Sequence, residues 1–276
     1  MKKIISLSIL FCVFCINANA QINISIGETF YPLNAPGFQT FFQTYNEENA
    51  TGLKTPFKSD FPAAKGWSIR GGFIIRNHDN DAGVYYNTSI GVNHLNTKNE
   101  AVFQNNEKRK TDLQIRELAT DVSLGVGGDN FHIAINGTFL ARYNKLLCSY
   151  EFSDGSQSFG LDHYINGVFT ASRLCAGYGA EVGFGIKYLQ VVFKAAKIYK
   201  PFLEDGSVYL NYYEDLAMLK QSYNGASSYP AEYLPADYHQ FVADQLTSES
   251  NNNFVYINDR GWQFGLSLMF LIPTNN

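Results

Sequence analysis

The sequence predicts an all-β protein, an eight-stranded antiparallel transmembrane up-and-down β-barrel with long extracellular loops. Three observations predict it. Apolar residues alternate with small or polar ones in segment after segment, and a period of two is the signature of a strand with two different faces. The connections between these segments are short and long in turn. A secretory leader precedes them all.

The leader occupies residues 1–20. Lys2 and Lys3 form a basic start, Ile4 to Ile16 an apolar stretch, and Ala18-Asn19-Ala20 a small-x-small cleavage site. Such a segment is a cleaved signal peptide, too short and wrongly flanked for a spanning helix. The expected mature domain is 21–276. Phe14 before Cys15 is unlike the small residues that precede an acylated cysteine. No later run approaches the roughly 20 apolar residues of a membrane helix. A strand needs only every second residue to face lipid, so alternation keeps a membrane location open.

The first strand runs from Ile22 to about Phe30, with Ile22, Ile24 and Ile26 on one side. Glu28 shares their parity, which requires a bulge or a position above the lipid. The second, Trp67 to Ile75, sets Trp67, Ile69, Phe73 and Ile75 against Ser68, Arg70 and Gly72. The polar run Arg76 to Asp81 turns the chain. The third strand, Ala82 to Leu95, has Val84, Tyr86, Thr88, Ile90 and Val92 on one parity.

The fourth strand, Thr111 to about Val126, changes parity near Arg116-Glu117, which implies a bulge or a start outside the membrane. Gly127-Gly128-Asp129-Asn130 is a tight turn. The fifth strand begins at Phe131, the sixth covers Leu174 to Phe184, and the seventh starts at Leu189 after Gly185-Ile186-Lys187. The eighth runs from Gly261 to Ile272. Connections after the even strands are short. Those after the odd strands form the expected external loops at about 31–66, 96–110, 144–172 and 200–259. Outer-membrane barrels show this asymmetry, with both termini inside.

The minority face carries Arg70, Glu117, Asp121, Arg142, Glu181 and Lys194. These charges would be costly against lipid, and they form a candidate charge network in a narrow lumen. A soluble lipocalin-like barrel is the competing architecture, and it would place its apolar side chains inside. Eight strands leave room only for side chains or one small ligand, so a filled polar interior is expected.

The leader, the eight alternating segments and the aromatic last strand Trp262-Gln263-Phe264-Gly265-Leu266-Ser267-Leu268-Met269-Phe270 together resemble small outer-membrane β-barrel proteins. The resemblance is to the OmpA/OmpX-like group and to the outer-membrane β-barrels of Bacteroidota. It covers the whole mature chain at the level of pattern and brings no active-site motif. It implies a bacterial outer-membrane location and contact with outer-membrane lipid and lipopolysaccharide. One departure is that Ile272-Pro273-Thr274-Asn275-Asn276 follows Phe270, where many such barrels end on an aromatic residue.

The loops carry the remaining candidates. Phe38, Phe41, Phe42 and Tyr45 follow Pro36-Gly37 at helical spacing, a short amphipathic helix. Its stripe either packs on the protein's own rim or meets lipid or a partner. Lys108, Arg109 and Lys110 are a candidate contact for anionic glycolipid, with solvated loop charge as the alternative. Cys148 and Cys175 share the inward parity in an oxidising compartment, so a disulfide is chemically allowed. The fourth loop is rich in tyrosine, including Tyr209, Tyr212 and Tyr213, and has helix-like patches around Glu214 to Tyr223 and Pro235 to Leu246. Tyrosine suits recognition, and a self-packed lid is the alternative.

Catalysis is not expected. The histidines are His78, His94, His132, His163 and His239, and none has a serine or metal-ligand set at useful spacing. Cofactors are expected to be none. The Asn-x-Ser/Thr matches at Asn23, Asn87 and Asn136 arise from strand alternation, and Asn49-Ala50-Thr51 completes the set. The net charge of −4 and the lack of a basic-aromatic platform argue against nucleic acid. The expected role is a filled barrel that anchors a surface interaction platform, with a protein partner reached through the external loops. Transport of a small amphipathic molecule is the alternative, and lipid modification a more distant one.

Overall fold

The structure is a computed structural model that describes residues 20–33, 36–76, 83–158, 167–199, 208–209, 211–212, 256–257 and 261–273. The leader, the 77–82 turn and most of the fourth loop, with its two helix-like patches, lie outside the described residues. So do His78, His163, His239 and Tyr213.

Eight long strands form the body: β1 (Ala20–Tyr31), β2 (Ala64–Arg76), β3 (Gly83–Phe103), β4 (Lys108–Gly127), β5 (Phe131–Glu151), β6 (Gly167–Ile186), β7 (Leu189–Tyr199) and β8 (Gly261–Pro273). Each pairs antiparallel with its neighbours in sequence. β1 also pairs with β8, from Gln21↔Pro273 to Phe30↔Phe264. The sheet is thus a closed, barrel-like ring, which removes free edges along the paired lengths. The count and order of strands agree with the alternation.

Alternation fixes the faces. Ile22, Ile24, Ile69, Phe73, Ile90, Val92, Leu118, Val122, Ile133, Ile135, Phe193, Leu266 and Leu268 all point outward and are exposed. Asn23, Asn87, Asn93, Glu117, Asp121, Thr138, Arg142, Glu181 and Gln263 point inward and are buried. Register runs without a shift through Glu28 in β1 and through Arg116-Glu117 in β4, so neither position is a bulge.

The parity switch has a different cause. Along β4 the inward residues are odd throughout, from Arg109 to Gly127. Below Arg116 the apolar residues Leu118, Val122 and Leu124 face out, while above it Leu113 and Ile115 face in and are buried. β3 behaves alike: above His94, Leu95 turns inward while Asn96, Lys98 and Glu100 are exposed. The same strand therefore has an apolar outside in its lower part and an apolar inside in its upper part.

The upper part is longer than the alternation suggested. β3 to β6 rise well above β1, β2, β7 and β8, and β3 and β4 are joined only by residues 104–107. Much of the expected loops at 96–110 and 144–172 is therefore strand. Their polar outer faces obscured this, because they lack the apolar outward signal of the lower strands.

Helix α1 (Pro36–Glu48) fills the space beside this projecting wall. Pro36 suits a first helical position, since its missing N–H has no partner there anyway. Phe38, Phe42 and Tyr45 pack with Tyr31, Phe57, Phe61, Leu95, Leu113, Ile115, Leu146 and Cys148 in one apolar cluster. Phe42 lies 4.8 Å from the Phe57 ring and 5.2 Å from Phe61, edge-on to the latter. Asn46 holds the returning chain by accepting from Phe57 N at 2.8 Å and donating to Phe57 O at 2.9 Å. Asn99 does the same for Lys58, at 3.0 and 2.9 Å.

Short ladders join the loops to this wall. Leu53–Thr55 adds to β3, and Gln157–Ser158 to β5. Asn211–Tyr212 adds to β6, and Val208–Tyr209 pairs with Tyr256–Ile257 in a separate two-stranded ladder.

Candidate functional site

All six predicted charges face the interior, and most meet in two hubs. Glu117 is the upper hub. Its Oε1 accepts from Arg142 Nε at 2.7 Å and lies 2.6 Å from Arg142 Nη2. Its Oε2 accepts from Asn93 Nδ2 at 2.6 Å and from Gln263 Nε2 at 2.8 Å. Arg142 also lies 4.6 Å from the Tyr31 ring centroid, within reach of a cation–π contact. Asp121 is the lower hub, taking Arg70, Lys194 and the Thr138 hydroxyl. Arg70 Nη2 donates to Asn93 Oδ1 at 3.1 Å, linking the hubs.

Glu181 does not join its register partner Lys194, which reaches Asp121 instead. It accepts from the Tyr85 hydroxyl at 3.1 Å and lies 3.8 Å from His132 Nε2. The His132 ring stacks on Tyr85 at 4.1 Å and 8°. Gly183 makes room for it, since a Cβ there would lie 2.0 Å from the ring.

These contacts cross the ring. β4 and β8 stand four strands apart in a ring of eight, so the Glu117–Gln263 bond spans its full width. Asn23 of β1 donates to Asn87 of β3 at 2.9 Å. At the end carrying the short turns, Arg76 donates to Gly128 O at 3.1 Å, to Asp129 O at 3.2 Å and to Lys187 O at 2.5 Å. Gln190 adds a bond to Asp129 O at 3.0 Å and meets His132 Nδ1 at 3.0 Å. Charges buried this way persist only when paired and hydrogen-bonded. The interior is a cross-braced polar network flanked by small buried apolar clusters, Ile74 with Val192, Met269 and Leu271, and Leu140 with Ile198.

Sequence reasoning missed the amides and hydroxyls of this core: Asn93, Gln263, Thr138, Tyr85 and Gln190. Their inward parity marked them, but only the closed ring brings residues so distant in sequence to one carboxylate. Arg173 also faces inward, opposite Arg142 in register.

Other expected sites fall differently. Phe38, Phe42 and Tyr45 are buried in the upper cluster, so they are the protein's own core and not a partner surface. Burial of three aromatic rings outweighs any exposed role. The side chains of Phe41, Tyr209 and Tyr212 are outside the described residues. Arg109 is fully buried on the inner face and cannot touch glycolipid from outside. Lys108 and Lys110 straddle Glu151, Lys108 at 3.1 Å. The bond from Lys110, then that from Lys108, holds the Glu151 carboxyl down at about 2.

Cys148 and Cys175 both face inward, as their parity indicates, but do not form a disulfide. Cys148 lies level with Gly167, while Cys175 lies level with Leu140, eight residues lower on β5. At about 3.3 Å per residue this separation far exceeds the reach of a disulfide. Burial pushes the Cys148 thiol up to about 12.

On the outer face, the level where the apolar band ends carries rings with polar edges. Trp67 stacks on His94 at 5.8 Å. The Tyr178 and Tyr199 hydroxyls lie 3.0 Å apart, and Trp262 stacks on Phe264 at 6.2 Å. Searches of family models, curated proteins and solved structures found no match to this chain.

Proposed function

We propose that this protein is an integral outer-membrane β-barrel whose braced interior makes it an anchor, and whose projecting wall forms a surface interaction platform. The observation that carries this reading is the reversal of sidedness along single strands. Below Arg116 and His94 the outer face is apolar around the whole ring, whereas above them the outer face of β3 and β4 turns polar and Leu95, Leu113 and Ile115 face in. A strand in water throughout has no reason to reverse. One that leaves lipid for water does, because the cheaper face to solvate changes at the interface.

The dimensions agree. Val84 to Val92 spans nine residues of outward apolar pattern, and a tilted strand needs about 9–11 to cross a bilayer. The aromatic rings at the band's upper limit match an interfacial girdle. Bridging of β4 to β8 by Glu117 and Gln263 supports an anchor over a channel, since it sets buried side chains across the width of the lumen. The projecting strands with α1 then form the platform, held rigid by a core of their own.

The two tryptophans, Trp67 and Trp262, provide the test. In vesicles containing brominated lipid, both should be quenched, more strongly by bromines near the headgroup than by bromines near the chain end. The folded protein should also migrate faster than the boiled one on a gel and give no steady conductance in a planar bilayer. A protein that stays soluble without detergent and shows no quenching would overturn the reading.

A further inference from the structure

We infer that the outer faces of β2 to β5, just above the apolar band, form a binding site for the phosphorylated headgroup of an outer-leaflet glycolipid. This rests on the membrane reading above and assigns a lipid class to one side of the barrel. Two outward rows make the site. One holds Lys65, Asn96, Gln114 and Lys145, which follow one another in register across four strands. The row beneath holds His94 and Arg116, also in register and bordered by Trp67 and Tyr143.

Three features distinguish this set from scattered surface charge. Lys65, Arg116 and Lys145 make no ion pair with any described carboxylate, whereas Asp112, in the next row up, is taken by Lys98 at 3.3 Å. The amides of Asn96 and Gln114 lie between the cations, so donors for phosphate and sugar oxygens follow one another at strand spacing, about 4.8 Å. The height is right at the β2 edge, because the Trp67–His94 stack marks the band's upper limit and headgroups begin there; strand tilt then carries the row upward toward Lys145 along the projecting wall.

The site is one-sided for a structural reason. β7, β8, β1 and β2 end close to this level, while β3, β4 and β5 continue upward and offer a wall against which a headgroup can lie. Glu28, exposed on β1 in register with Trp67, closes the site at its β2 edge, and across the ring Lys197 turns its ammonium to within 5.4 Å of the Tyr199 ring centroid. Lys108 and Lys110 stand too high and are engaged by Glu151.

Native mass spectrometry of the detergent-purified full chain, titrated with diphosphorylated lipid A and with phosphatidylcholine, tests this. Wild-type protein should bind lipid A in preference, less so as salt rises from 50 to 300 mM. The variant Lys65→Gln/Arg116→Gln/Lys145→Gln should lose affinity for lipid A by about a hundredfold, at roughly a tenfold loss or less for each cation. A matched control, Lys98→Gln/Lys108→Gln/Lys110→Gln, should bind as wild type does. Equal binding by the two triple variants, or no preference for lipid A over phosphatidylcholine, would overturn the inference. Normal tryptophan quenching alongside either result would place the failure here and leave the membrane reading intact. Absent quenching would sink both.

Discussion

Replacing Arg142 with Met should be among the most damaging changes to the interior, and its size follows from the geometry. The Arg142 and Glu117 side chains are both 0 % exposed. Removing the guanidinium leaves Glu117 with its two amide donors, Asn93 and Gln263, but no directly bonded countercharge. Breaking a buried pair from one side costs about 3–5 kcal/mol, and the lost contact with Tyr31 adds about 0.5–2 kcal/mol. The double variant Glu117→Gln/Arg142→Met removes both charges and keeps an amide that can still accept from Asn93 or Gln263. It should therefore recover at least about 2 kcal/mol relative to Arg142→Met alone. Equilibrium urea unfolding in phospholipid vesicles, followed by the fluorescence of Trp67 and Trp262, reads both quantities. If Arg142→Met fell within about 0.5 kcal/mol of wild type, or if the two single losses simply added in the double variant, the pair would not be a buried one and the braced interior would be the wrong picture.

Three further outcomes are expected. Phe42→Ala should loosen α1 and the 49–63 segment, at a cost of about 3–5 kcal/mol to the upper cluster. Hydrogen exchange should then rise across α1, while exchange in the lower halves of the ring strands stays as slow as in wild type. Gly183→Ala should displace the His132 ring, at about 1–3 kcal/mol. An unchanged His132 ring environment by NMR would contradict the close approach. Glu151 should titrate in the folded protein near 2, against an ordinary 4.5. Because the folded value is depressed, the pairing with Lys110 and Lys108 is in place above about pH 4.5 and is lost as pH falls toward 2. The Glu151 carboxyl NMR resonance should show this midpoint, and Lys110→Ala should raise it.

The lower half of the fold was legible in the chain because its environment imposes a strict rule. Outward positions there are predominantly apolar and inward ones mostly small or polar, so Val84 to Val92 or Trp262 to Leu268 declare both strand and face. The upper half was less legible. Lys98, Asn99 and Glu100 look like loop, yet they continue β3, since an exposed outer face tolerates any polar residue. Phe38, Phe42 and Tyr45 declared a helix by spacing, but spacing is the same for a stripe that meets a partner and one that meets its own wall.

The residues by themselves determined strand number, strand faces and which charges point inward, because those properties depend on neighbours one or two positions away. Pairing partners were a matter for the closed ring. Glu117 meets Gln263 across 146 positions of chain, Lys194 passes over Glu181 for Asp121, and Cys148 stays apart from Cys175. The row of Lys65, Asn96, Gln114 and Lys145 likewise appears only after register aligns four strands. Parity is local, whereas height and distance across a barrel are fixed only when its last strand pairs with its first.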